Sequence, residues 1–121
     1  LILDIKFNQD YFERVIHHEV FHIINDTYKS LFNEKIWSEF NVKEFEYAEC
    51  STCTDKLGLD TYKKTDGFFT EYARSTASED MAEVFSHLMI DAKINVTDSI
   101  LIKKIQFIKM NLLKIDKNFT L

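Results

Sequence analysis

The chain has no proline and only two glycines, Gly58 and Gly67, among its 121 residues. With neither residue in a cluster, no interdomain linker, repeat or low-complexity tract divides it, and the length suits one domain. Cysteine is as scarce: Cys50 and Cys53 are the only pair. A structural zinc ribbon needs a second pair. A redox C-x-x-C opens a helix after a strand, whereas Thr54 to Gly58 reads as loop. Two free thiols, or one small-ring disulfide if the protein is exported, is the plain expectation. No apolar run approaches a membrane span, and no basic-then-apolar leader is visible. The first residue is Leu1 rather than Met, which reads as a piece or a processed form, so the missing leader says nothing about export. Formal charge is -5, and no basic stretch carries interleaved aromatics, which argues against a nucleic-acid partner. Lys103, Lys104, Lys109, Lys114 and Lys117 alternate with apolar residues, as on a solvated helix face.

What is present supports a packed core, with 45% hydrophobic and 14% aromatic residues. Leu1, Leu3, Ile5 and Phe7 alternate with Ile2, Asp4 and Lys6, a period of two that predicts a strand. Asp10 and Glu13 have the form of a capping box, so a helix is expected from Tyr11 to about Leu31 or Phe32. Its apolar positions Phe12, Val15, Ile16, Val20, Ile23 and Ile24 form a wide band, predicting a long, mostly buried helix. Ile36, Trp37 and Phe40 suit one short helix. The stretch from there to Asp66-Gly67 lacks sustained periodicity and is expected to wall a substrate cleft. A further helix begins near Ser75 to Ser78, where Thr76 and Glu79 match a second capping box, and runs to about Ile90. The last spans about Ser99 to Ile115, with Leu101, Ile105, Ile108, Leu112 and Ile115 as its stripe. The expected fold is therefore mainly α with an α+β character. A long helix packs with two others beside a small N-terminal strand component, in a single domain over residues 1–121 that is truncated at its N-terminus.

The chemistry concentrates in His17-His18-Glu19-Val20-Phe21-His22. His18 and His22 are four residues apart, so on a helix both imidazoles face one metal, while Glu19 leaves that face towards a water on the metal. This H-E-x-x-H spacing belongs to zinc sites in which the glutamate is a general base rather than a ligand. The plainer alternative is two histidines satisfied by neighbours on an amphipathic helix. Two histidines need a third protein ligand, and Glu79, Asp80 and Glu83 are the candidates. Glu79 and Glu83 lie one turn apart on one face, so one can bind metal while the other orients it or a ligand histidine. The spacing does not decide between a ligand role for Glu79 and its completing the capping box. His17 points away from the metal face and reads as packing; His87, one turn beyond Glu83, reads as a surface pair with it. Asn25, Asn95 and Asn118 begin glycosylation-type triplets, a weak signal.

The run from Gly67 to Phe85, downstream of His17 to His22, resembles bacterial zinc metallopeptidases of the gluzincin type and is similar to the catalytic domain of anthrax lethal factor. The shared pattern is Tyr, six residues, Glu, three residues, Glu, and Tyr72, Glu79 and Glu83 fall on it. The resemblance implies a zincin-like catalytic domain holding Zn2+ on His18, His22 and Glu79. Glu83 is implied as the acid supporting a ligand, Tyr72 as a transition-state donor and Glu19 as the base. The implied activity is hydrolysis of a peptide or protein substrate. The upstream sheet of such enzymes is represented at most by Leu1 to Phe7. A zinc-stabilised, catalytically inactive binding domain derived from a peptidase is the alternative reading, and a helical interaction module with an accidental motif is a third.

Overall fold

Helix α1 spans Gln9–Thr27 in a computed structural model that describes residues 9–50, 66–91 and 93–119. Asp10 lies inside its first turn rather than capping it, and Gln9 Nε2 donates to Glu13 Oε1 at 3.1 Å. The helix stops at Thr27, short of the expected Leu31 or Phe32. The chain turns through Tyr28 and Leu31, which brings Phe32 back against Phe21, ring centroids 5.1 Å apart and edge-on. Asn33 caps the short α2, Glu34–Ser38, by accepting from Ile36 N, and α2 carries the fully buried Trp37.

Gly67 has φ 81°, a conformation that favours glycine, and a Cβ there would meet Ile100 Cγ2 at 3.1 Å. Its N–H donates to Asp98 Oδ2 at 2.6 Å. A 3-10 turn, Glu71–Arg74, follows, capped by Thr70. Helix α3, Ala77–Ile90, is capped by Thr76, whose hydroxyl accepts from Glu79 N. Helix α4, Ser99–Ile115, is capped by Asp98. The starts and ends of α3 and α4 are those expected from the pattern.

The core gathers on α3. Met81, Ala82, Val84, Phe85 and Leu88 are all buried, and α1, α2, α4 and the 3-10 turn pack around them. The helix is buried on nearly every side, its polar Glu79, Asp80, Glu83 and Ser86 included, and helices do most of the covering. The expected α+β character is thereby corrected: the described residues form helices and hold no strand. The predicted strand at Leu1 to Phe7 lies outside the described residues.

Two further expectations fail for related reasons. Helix α1 is not mostly buried: among its residues His18, Phe21 and Asn25 are buried, while Phe12 is 60% and Ile23 67% exposed. Only the stripe that meets α3 is covered. Lys104 is not on a solvated face but fully buried. It falls three residues after Leu101 and four before Ile108, on the buried stripe itself. Its Nζ donates to Asp80 Oδ2 and to Gly67 O, both at 2.7 Å. Trp37 Nε1 at 3.0 Å and the Tyr47 hydroxyl at 2.5 Å donate to the same carboxylate oxygen. Burial raises the Asp80 carboxyl and lowers the Lys104 ammonium, each restrained by the other's charge. Among the described residues no helix is long and apolar enough to cross a membrane.

Candidate metal centre

Helices α1 and α3 face each other across the two motifs. Positions 14, 18 and 22 share one face of α1; the first turns of α3 bring Glu79 and Glu83 opposite them. His18 Nε2 and His22 Nε2 are 3.1 Å apart. Glu79 Oε1 lies 3.3 Å from the first and 2.5 Å from the second. Thr76 thus caps through Glu79 N at 3.1 Å, while the Glu79 carboxylate goes to the histidines and the Tyr72 hydroxyl, so the reciprocal half of the capping box is not made.

Each imidazole is held from behind. His18 Nδ1 is 2.9 Å from Glu83 Oε2; a carboxylate only accepts, so Nδ1 carries the hydrogen and a neutral His18 turns its Nε2 lone pair to the site. Glu83 Oε1 accepts from Thr70 Oγ1 at 2.8 Å. His22 Nδ1 lies 3.2 Å from Ser78 Oγ, which in turn accepts from Asn25 Nδ2 at 3.4 Å. The Tyr72 hydroxyl donates to Glu79 Oε2.

The electrostatics follow from this crowding. Burial works against charge on His18, but hydrogen bonds and charge from Glu79 and Glu83 more than offset it and raise its pKa to about 9. Burial works against Glu79 too, and the two histidines overcome it, lowering its pKa to about 2. Glu79 and Glu83 thus favour a proton on His18 that a metal ion at Nε2 would have to displace.

A cavity of about 220 Å3 opens beside the cluster, lined by Tyr11, Arg14, Val15, His18, Glu19, Tyr72 and Glu83. Glu19 is an exposed residue within that lining. The larger groove, about 560 Å3 between residues 44–48 and the Glu71 and Arg74 flank of the 3-10 turn, holds none of the histidines. The expected cleft wall thus borders that groove in its described part.

His18, Glu19 and His22 can coordinate a metal ion, since one ligand atom of each lies within 4.8 Å of the others. A protein-family model described as "Putative zinc-binding metallo-peptidase" matches residues 3–115. The chain belongs to this family. No curated protein and no solved structure matches it. The likeness to the catalytic domain of anthrax lethal factor accordingly rests on the motif residues alone.

For a member of a zinc-binding family the donor set fits the metal. Imidazole nitrogen and carboxylate oxygen suit Zn2+ at bond lengths of about 2.0–2.2 Å, and a tetrahedron of that size has edges of about 3.3–3.6 Å. The His18–His22 edge, 3.1 Å, and the His18–Glu79 edge, 3.3 Å, are near that size, whereas the His22–Glu79 edge, 2.5 Å, is a direct hydrogen-bond contact that a metal ion would have to widen.

Several contributors escaped the sequence reading. Arg14 and Thr70 belong to no motif, although Arg14 stands one turn before His18. Ser78 precedes Glu79 directly and supports the opposite histidine. His87 does not pair with the Glu83 carboxylate on the surface. Its Nδ1–H donates to Glu83 O at 2.7 Å, and its ring stacks on Phe69, centroids 4.4 Å apart. Burial, then the charge of Arg14, pushes its pKa down. His17 keeps the packing role expected of it, edge-on to Phe85 at 6.5 Å. Asn25 is buried against Ser78, which removes the first glycosylation triplet. Cys50 is disulfide-bonded; Cys53 lies outside the described residues.

Proposed function

We propose that this chain is a zinc-dependent metallopeptidase of the gluzincin type, hydrolysing peptide bonds with Glu19 as general base. The observation that carries the reading is the convergence of His18 Nε2, His22 Nε2 and Glu79 Oε1 within 3.3 Å of one another, while Glu19 stands outside that triangle on an open cavity. Three donors meeting at one point suit ligands, and an acid beside them with room in front suits a base.

His18, His22 and Glu79 would hold the zinc, which when bound supplies Lewis acidity to a peptide carbonyl and to a nucleophilic water. Glu19 accepts the proton of the attacking water and returns it to the leaving amine. Glu83 fixes the His18 tautomer through Nδ1, keeping Nε2 directed at the site. Tyr72, whose hydroxyl rests on Glu79, turns its O–H to the developing oxyanion. The substrate is a peptide or protein, and the cavity beside Glu19 receives part of it.

The test is Glu19→Gln, with zinc content and turnover on a peptide library measured together. One zinc per chain in both proteins, and a loss of turnover of about a thousandfold in the variant, is expected for an essential base. Turnover that survives the change removes Glu19 from that role. Stoichiometric zinc with no turnover in the full-length wild type would replace the enzyme by a zinc-stabilised binding domain.

A further inference from the structure

The cavity beside the histidines contains a cation that the chemistry above does not use. Arg14 lines it, one turn before His18, with its side chain only 13% exposed. Its Nη1 lies 3.3 Å from His87 Nε2. The His87 Nδ1–H is committed to the Glu83 carbonyl, so Nε2 is an acceptor and Arg14 donates to it. A neutral imidazole therefore anchors one arm of the guanidinium. Among the described residues the nearest carboxylate oxygen, Glu83 Oε1, is 3.8 Å away and already accepts from Thr70, while Glu83 Oε2 accepts from His18. A guanidinium has five N–H donors in a planar fork. Among the described residues only Nη1 has hydrogen-bonding or ion-pair partners, and the guanidinium carbon lies 5.6 Å from the centre of the Tyr11 ring, a cation–π contact that uses none of its N–H donors. The rest of the fork and much of its charge remain for something that enters the cavity.

The geometry points to a subsite for a substrate carboxylate, gripped by Arg14 in the cavity shared with Glu19 and Tyr72. Guanidinium and carboxylate pair through two parallel hydrogen bonds, a match that a neutral amide lacks. One helical turn is about 5.4 Å along α1, and an extended peptide advances about 3.3 Å per residue. The recognised acid therefore sits one or two residues from the scissile bond. It is either an Asp or Glu side chain or the free C-terminus of the peptide. This inference deepens the peptidase reading and rests on it for the word substrate, but the anion site itself can be measured without turnover.

The experiment uses fluorescent peptide libraries in matched pairs, with Glu or Gln fixed at one position and the C-terminus free or amidated. Cleavage is followed with zinc-loaded wild type, Arg14→Met and Arg14→Lys, and binding by anisotropy with zinc-loaded Glu19→Gln, alone and combined with Arg14→Met. Wild type should prefer the carboxylate member by about tenfold in kcat/KM, the size expected of a charged hydrogen-bonded pair. Arg14→Met should bring that ratio to about one, whatever factor both members lose together, and Arg14→Lys should keep part of it. The Glu against Gln arm and the free against amidated arm identify which carboxylate is read. If Arg14 only braced Glu83 and His87, its loss would slow both members equally and leave the ratio intact, which overturns the subsite. Carboxylate-selective binding that depends on Arg14, with no cleavage by wild type, would uphold the anion site and reject the peptidase. Cleavage without carboxylate preference would do the reverse. Neither binding nor cleavage would reject both.

Discussion

Helices α1 and α3 carry the two halves of the proposed metal centre, yet they are built in opposite ways. Helix α3 is buried along most of its length and takes its side chains from the core of the domain. Helix α1 is covered on one narrow stripe and shows Phe12, Val15, Ile16, Val20 and Ile23 to its surroundings. The bases therefore sit on the open helix and the acids on the enclosed one. Enclosure matters most for the acids. A carboxylate in a low-dielectric setting interacts strongly with a cation or imidazolium, and Glu79 and Glu83 are both held below the ordinary carboxylate range by their histidine and hydroxyl partners despite burial. The histidines need only one face, while the opposite side of α1 contributes nothing to the site. Stability and chemistry should therefore separate between the helices, and substitutions can break that separation or sharpen it.

The largest effect is expected at Lys104→Met, which keeps length and apolar stem but removes the charge. Asp80, on the first turn of α3 beside Glu79, would keep Trp37 and Tyr47 as donors but lose the one cation within hydrogen-bonding reach among the described residues. Breaking a fully buried pair by removing one partner costs about 3–5 kcal/mol. Urea unfolding of the variant measures it. A loss below about 1 kcal/mol would mean that the pair does not anchor α3 and that the enclosed helix owes its place to apolar packing alone.

Next comes the link between the helices. Glu83→Gln keeps a group of the same shape behind His18 but removes its charge, so zinc affinity should fall by about 10–100-fold, the cost typical of losing a partner that orients a ligand. Glu79→Ala should strip the metal more completely. Competition with a fluorescent chelator gives both values. If Glu83 proved the more damaging position, ligand and supporting acid would exchange roles.

The reach of the sequence follows the same division. The motif helix, with His18 and His22 on one face, and the cap at Thr76 were legible because spacing and local hydrogen bonding determine them. So were the limits of α3 and α4, where Asp98, Thr76 and the apolar stripes leave little choice. Which helix would be enclosed was not legible: an apolar band on α1 and one on α3 look alike until tertiary packing decides which is covered. Lys104 was misread for the same reason, since its charge outweighed its position on the Leu101 to Ile108 stripe. Arg14, Thr70 and Ser78 belong to no motif, and their roles exist only through partners on another element. The ligand role proposed for Glu79 needed the family pattern, because the chain between His22 and Glu79 carries no spacing rule.

Proton linkage should distinguish the free site from the loaded one. In the metal-free protein His18 titrates at about 9, above an ordinary histidine at about 6.5. A raised folded-state pKa contributes stability that is fully present below about pH 6.5 and lost as the pH rises through about 9. Metal binding needs the neutral ring, so zinc affinity should climb through the same interval by up to about tenfold per pH unit. The two slopes have opposite signs. Thermal unfolding of the metal-free protein and chelator competition, each run from pH 6 to 9.5, measure them. Parallel slopes would mean that the acids of α3 do not hold a proton on His18.

The smallest expected effect is the sharpest comparison of the two helices. Ile23 is 67% exposed on α1, one residue after His22, whereas Leu88 on α3 is fully buried. Surface substitutions away from special features change stability by less than about 0.5 kcal/mol. Truncating a buried leucine costs about 2–5 kcal/mol, through lost transfer energy and the cavity left behind. Ile23→Ala should therefore leave unfolding within about 0.5 kcal/mol of wild type, and Leu88→Ala should not. Alanine also suits a helix interior at least as well as isoleucine, so propensity does not hide a packing loss. Urea unfolding of the two variants side by side is the measurement. If Ile23→Ala cost as much as Leu88→Ala, the outer face of α1 would be covered in solution, and the motif helix would be as enclosed as its apolar band suggests.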